Sequence, residues 1–376
     1  MLNHQLVTLG QFIELAQPII NIGLVPLAVG QAGAGKTESG YKIAEIMGYD
    51  YVLKINPNTM EITDLHGTPA HAKCEETQTN VTDWYAPKHW VNLIRAHAKG
   101  RKIMVIVDEL FQADDNQAKF LSKFFLERMA GDLQLPKETA IIAFGNRPED
   151  NSLSATELGA MTWDRLKPFE IRVDAEDWIN NYAIPNNVAP EVVAGVRNHP
   201  RWINEGFDPD QYKSSTPRSL THLSDLLKAG GIPRGREILP MVQAFVGNAV
   251  AIEFIAFLEV MDGLPNRDEI YKNPLGAPLP EDMVKEHNEK TNSKNIGETA
   301  VYYALCSALG AFANKDNLSA TVQYLERLPK DWAIMALGDV WKKDNKLAWS
   351  NKDYQRFALA NKNVKIFTDI LSNSNK

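Results

Sequence analysis

The sequence predicts an α/β fold, with a parallel sheet sandwiched by helices, followed by an all-helical lid and a C-terminal helical extension. Three observations predict it. Short apolar runs alternate with amphipathic stretches up to residue 174, the pattern of strands covered on both faces by helices. From residue 175 onward the strand signal fades and helical periodicity takes over. The 376 residues also exceed what one hydrophobic core covers, so more than one lobe is expected.

Taken in order, residues 1–22 read as a short lead-in, 24–29 as a strand and 36–47 as a helix. Pro26 sits awkwardly in that first strand because it cannot donate a ladder bond. Residues 51–55 form the next strand, and 56–87 are extra material, read as a mobile insert. A helix at 90–98, a strand at 103–107, a helix at 116–129, a strand at 139–144 and a last short strand at 169–173 complete an α/β domain over 1–174. The helical lid is expected over 175–263, with helices at 218–228 and 239–260. Residues 264–376 make up a linker and the helical extension; 265–298, rich in Pro, Asn, Lys and Glu, read as a long loop, followed by helices at 298–313 and 320–328.

Hydrophobic residues make up 44% of the chain, aromatic ones 9% and charged ones 23%, an ordinary globular balance with no disordered or fibrous signature. Forty basic against 47 acidic side chains leave a net charge of −7, so nothing global suggests polyanion binding. Cys74 and Cys306 are the two cysteines, too few for a disulfide framework, and a reducing cytoplasm is expected. The first residues lack the basic start and apolar run of a signal peptide. Residues 252–261 are strongly apolar but only about half a membrane span, so they read as a buried helix and no membrane is expected.

Gly30-Gln31-Ala32-Gly33-Ala34-Gly35-Lys36-Thr37 fits G-x-x-x-x-G-K-[ST] without a mismatch, between a strand and a helix. The small residues let backbone N–H groups curl around a phosphate, and the helix start adds partial positive charge. Lys36 is suited to reach the β- and γ-phosphates and the Thr37 hydroxyl to ligate Mg²⁺. ATP and Mg²⁺ are the expected cofactors, and Glu38 is included in the nucleotide-binding stretch.

The apolar run 103–107 ends in Asp108-Glu109. A buried parallel strand opens its carboxyl end onto the ligand crevice. Asp108 is expected at the metal and Glu109 at the attacking water. An Asp-Glu pair alone is more often a solvated turn; its place at a strand end after the phosphate-binding pattern makes it specific.

These motifs, with Ala143-Phe144-Gly145-Asn146 ending a strand, resemble AAA+ ATPases. Four further stretches are similar to the MoxR-like branch: Asp64-Leu65-His66-Gly67, Leu126-Glu127-Arg128, Trp163-Asp164-Arg165 and Thr216-Pro217-Arg218-Ser219. The resemblance covers residues 20–260; the late helices are similar to a phage and prophage subset. It implies that Asn146 is sensor 1, Arg165 the arginine finger reaching the next subunit's nucleotide, and Arg218 sensor 2. Leu166 stands where the family has Phe, and Arg128 and Arg147 compete with Arg165 for the finger role. Thr216 and Pro217 suit a helix cap and first turn.

A site completed in trans implies a head-to-tail ring, six subunits by resemblance. The resemblance also implies a chaperone-like remodelling ATPase with a von Willebrand factor A-type partner. The other reading is a DNA-directed motor or a phage DNA-metabolism or defence factor, against which the acidic balance and missing basic stripe argue. Trp341, Lys342, Lys343, Lys346, Trp349 and Arg356 interleave bases with aromatics, but Asp344 and Asp353 interrupt them, as on a solvated helix face. His66, His71 and Cys74 fit no standard zinc spacing.

Overall fold

The computed structural model describes residues 6–147, 158–206, 213–230, 236–262, 264, 267–290 and 297–368. The chain forms two compact units, Met1–Val173 and Asp174–Lys376.

The first unit runs α1 (Leu9–Asn21), β1 (Val25–Gly30), α2 (Lys36–Met47), β2 (Tyr51–Ile55), α3 (Ile62–His66), β3 (Thr68–Lys73), β4 (Asn80–Tyr85), α4 (Lys88–Ala98), β5 (Ile103–Val107) and α5 (Asp115–Glu127). It continues with β6 (Met129–Ala130), β7 (Leu133–Gln134), β8 (Ala140–Asn146), α6 (Ala160–Arg165) and β9 (Leu166–Glu170). The main sheet has the order β2-β5-β8-β1-β9, and every pair in it is parallel.

The pleat sorts the core into two layers. Ile103, Val105 and Val107 face one layer with Trp90, Leu93, Leu121 and Phe124. Met104 and Ile106 face the other, with Phe12, Ala16, Ile43 and Phe144. Each Val, Leu, Ile, Phe or Met side chain so buried stabilises the fold by about 1.5–3 kcal/mol relative to exposure. The parallel sheet flanked by helices is the expected architecture.

Several elements differ from expectation. The lead-in is a helix, α1, started by a Thr8–Gln11 capping box and held by Phe12, Ala16 and Ile20, whose spacing of four places them on one buried face. Pro26 lies within β1, paired on both sides. Val29 O accepts from Ile171 N, so alternate residues from Val25 face β9 and Pro26 faces β8, where pairing starts only at Leu27. The insert is not an unstructured loop: β3 and β4 form an antiparallel hairpin beside α3. The last strand is Leu166–Glu170, earlier than 169–173, because the pairing with β1 reads from Leu166 onward and includes Pro168.

In the second unit the described residues form helices and no strand. They are α7 (Ala175–Trp178), continued by a π turn (Ile179–Ala183), α8 (Pro190–Asn198), α9 (Pro217–Lys228), α10 (Leu239–Val246), α11 (Asn248–Asp262) and α12 (Arg267–Lys272). Then follow α13 (Pro280–Lys290), α14 (Glu298–Ala311), α15 (Leu318–Leu325), α16 (Lys330–Lys343), α17 (Asn345–Ser350) and α18 (Lys352–Ala360). The helix expected over 239–260 is two, broken at Gly247, which has φ +81° and where a Cβ would meet Lys213 O at 2.5 Å. The described part of 265–298 contains α12 and α13 rather than a loop. Tertiary bonds order the turn between them: Arg327 donates to Pro274 O and Ala277 O at 2.8 and 2.7 Å, and Tyr324 Oη to Pro278 O at 2.7 Å. Residues 265, 266 and 291–296 of that span lie outside the described residues. Among the described residues, no helix is long and apolar enough to cross a membrane.

Candidate active site

Between β1 and α2 the chain turns sharply through Gly33 (φ +75°) and Gly35 (φ +94°), values that side-chain-bearing residues rarely adopt. Gly35 is the N-cap of α2 and provides no side-chain cap. The helix start therefore offers backbone donors and the positive end of its dipole. Gly30 lies so close to Ile171 that a Cβ would sit 3.0 Å from the isoleucine Cβ. Lys36, 6% exposed, folds back into the curl: its Nζ donates to Gly30 O at 2.8 Å, Gln31 O at 2.6 Å and Asn146 Oδ1 at 3.0 Å. Ala34 is buried, while Ala32 and Glu38 are exposed on the rim.

The sheet order brings the second group here. β8 lies between β1 and β5, so the carboxyl ends of all three open together. The Asp108 backbone N–H donates to Ile55 O at 2.9 Å, extending the β2–β5 edge by one bond. Its Oδ2 accepts from Thr37 Oγ1 at 2.9 Å and pairs with Lys54 Nζ at 2.7 Å, while Oδ1 accepts from the Glu109 N–H at 3.1 Å. Glu109 has φ +53°, an uncommon conformation for a residue with a side chain. Its Oε2 accepts from Asn56 Nδ2 at 3.0 Å and Asn58 Nδ2 at 3.1 Å. For Lys54, burial pulls the pKa down, but the hydrogen bond and charge of Asp108, with Tyr41 and Glu109 adding, outweigh it and the net direction is up.

Lys36, Thr37, Asp108, Glu109 and Asn146 thus converge. The arginines are placed differently. Arg165 donates through Nη1 to Ser122 O and to Ser122 Oγ, the latter at 2.6 Å, so its head lies on α5. Arg147 donates to Ile171 O at 3.1 Å and pairs with Glu170 at 3.4 Å. Arg128 is 8% exposed and braces three backbone carbonyls: Thr139 O at 3.2 Å, Gly23 O at 2.6 Å, and Phe125 O. Burial lowers its pKa. Arg128 is an internal tie rather than a finger candidate. Arg218 belongs to the second unit, exposed on the first turn of α9 behind a Thr216–Ser219 capping box.

Sequence reasoning missed Lys54, Asn56 and Asn58. The available signal was a lone charge in the apolar strand Tyr-Val-Leu-Lys-Ile and two amides just past its carboxyl end, beside the strand carrying Asp108. The donor set suits the expected groups. Thr37 Oγ1 and Asp108 Oδ2, 2.9 Å apart, are hard oxygen ligands of the kind Mg²⁺ takes alongside phosphate oxygens. The glycine turn and the uncapped start of α2 match a phosphate chain.

No family model matches the chain, and no curated protein sequence matches it. Among solved structures, similarity extends to the RuvB Holliday junction branch migration motor of Thermotoga maritima (14% identity, 74% of this chain, 80% of that one, TM-score 0.33). A candidate ATPase from Cytophaga hutchinsonii matches at 13% identity over 98% of this chain and 90% of its own, with TM-score 0.32. NtrX from Brucella abortus matches at 14% over 90% and 69%, with TM-score 0.37. At these identities and TM-scores the likeness transmits neither an activity nor a partner.

Proposed function

We propose that the chain is a Mg²⁺-dependent ATP hydrolase of the AAA+ kind. The observation that carries this is the convergence of Lys36, Thr37, Asp108, Glu109 and Asn146 at the carboxyl ends of three adjacent parallel strands, with bonds from Lys36 to Asn146 and from Thr37 to Asp108. The Gly30–Thr37 backbone and Lys36 bind the phosphates. Thr37 and Asp108 hold the cation. Bound Mg²⁺ supplies neutralisation of charge on the phosphoryl oxygens. Glu109 accepts the proton of the attacking water, and its amide partners Asn56 and Asn58 set where that carboxylate points. Asn146 orients the water or the γ-phosphate.

The finer reading rests on the motif resemblance: a MoxR-like, phage-type ring of six subunits in the cytoplasm that remodels a protein target with a von Willebrand factor A-type partner. In it, Arg165 leaves Ser122 to reach the neighbouring subunit's nucleotide, and Arg218 couples the lid to phosphate loss. The test is Mg²⁺-dependent phosphate release together with nucleotide binding. Lys36→Ala is expected to abolish binding, and Glu109→Gln to bind and not turn over. Normal turnover in Glu109→Gln removes the assignment of the base. Strong stimulation by DNA that fades with salt replaces protein remodelling with a DNA motor.

A further inference from the structure

Lys54 has no part in the chemistry set out above, yet it touches the centre of the site. It stands opposite Ile106 in the β2–β5 register, and Asp108 is two residues further along β5, on the same face. A long side chain at such a diagonal position reaches its neighbour. Lys54 Nζ accordingly sits 2.7 Å from Asp108 Oδ2, the same oxygen that accepts from Thr37 at 2.9 Å. A positive charge therefore lies on the oxygen that, in the proposed function, ligates the divalent cation. The Asp108 side chain is 13% exposed, and a carboxylate so shielded needs a counter-charge.

We propose that Lys54 is a resident counter-ion of the metal site: its ammonium holds Asp108 Oδ2 until a divalent cation arrives, and so keeps the site from loading metal ahead of nucleotide. A divalent ion near Asp108 is repelled by the ammonium and must share or take its oxygen. The oxygens of a triphosphate tip that exchange. Metal then enters with the nucleotide, and Lys54 swings toward solvent, which its 38% exposed side chain permits. Lys54 is thus a positioning residue that acts through Asp108. This rests on the proposed function, because it takes Thr37 and Asp108 as the cation's ligands.

The experiment titrates the nucleotide-free full chain with Mn²⁺ and follows the free ion by electron paramagnetic resonance. Lys54→Met is expected to bind Mn²⁺ about tenfold or more tightly than wild type, as loss of a unit charge in contact with the ligand oxygen requires. Lys54→Arg, which keeps the charge, stays near wild type, and adding Thr37→Ala to Lys54→Met removes the gain. Lys54→Gln serves the same purpose should the methionine variant fail to fold. Unchanged Mn²⁺ affinity in both neutral variants overturns the inference and leaves Lys54 as an ordinary ion pair. If wild type retains no Mn²⁺ after equilibration with Mn²⁺ and ATP and removal of unbound nucleotide by gel filtration, the proposed function itself fails. If it takes up Mn²⁺ with ATP while the neutral variants gain nothing without it, only the role of Lys54 falls.

Discussion

Replacing Asp339 with alanine tests whether the helices after residue 174 fold as one cooperative unit. Arg197 on α8 donates to Asp339 on α16 through two bonds, at 2.7 and 2.8 Å, and to Ser307 Oγ on α14 at 3.1 Å. The Arg197 and Asp339 side chains are only 3% and 6% exposed. Burial pulls the guanidinium pKa down, and the charge and hydrogen bonds of Asp339 more than restore it. The pair crosses the boundary expected at 263/264, joining the expected lid to the expected extension. Removing one partner of a buried pair leaves an uncompensated charge and costs about 3–5 kcal/mol. Lys342 worsens the loss. Its Nζ is engaged with Asn180 Oδ1 at 2.7 Å; burial, and then the Arg197 charge, lower its pKa, while the charge of Asp339 opposes that lowering and is lost with the carboxylate. For a unit of this size each kcal/mol shifts the midpoint by about 2–4 °C, so Asp339→Ala is expected to melt about 6–20 °C lower. Scanning calorimetry of the full chain, with urea unfolding alongside, measures both quantities. Arg197→Met combined with Asp339→Leu is the control, expected within about 1 kcal/mol of wild type or above it. A loss below about 1 kcal/mol in Asp339→Ala, or separate melting of 175–263 and 264–376, would refute the reasoning.

Further outcomes follow from the site. Arg165→Ala is expected to keep ATP binding and to lower turnover by about 10³-fold, as loss of a trans-acting guanidinium does; unchanged phosphate release would return Arg165 to a purely local tie on Ser122. Asn56→Ala with Asn58→Ala frees the Glu109 carboxylate from the two amide donors that set its direction and is expected to lower basal turnover severalfold; a rise in the same assay would mean that the amides hold Glu109 away from the attacking water. Gly145→Ala places a Cβ 2.3 Å from the Phe111 ring, and overpacking of that kind costs about 1–3 kcal/mol, read as a lower urea midpoint; an unchanged midpoint would show that the ring gives way freely.

Much of the first unit was legible because its signals are local. Residues 36–47, 51–55 and 103–107 are bounded in the structure where their patterns end, since a glycine turn, an apolar run and a carboxylate pair are written within a few residues. The N-terminal lead-in is a helix that contains Pro18, a residue that argues against a helix locally but is carried by the burial of Phe12, Ala16 and Ile20. The region 265–298 reads as linker because its Pro and Asn content is a turn signal. The order of its described turn at 274–278 comes from Arg327 and Tyr324, more than forty residues away in the chain. Arg128 is indistinguishable from Arg165 as a letter in a motif; the three carbonyls it braces come from separate segments.

By itself the sequence determined the alternation of strands and helices, the turn at Gly33 and Gly35, and the residue types needed for a phosphate and a hard cation, because periodicity, backbone freedom and ligand chemistry belong to short stretches of chain. Only the tertiary structure decided that β8 lies between β1 and β5, that Lys36 meets Asn146, and that Lys54 reaches Asp108 from the neighbouring strand. Which strands pair is settled by how two apolar layers close over a sheet. That is a property of the whole packed chain, and no window of sequence carries it.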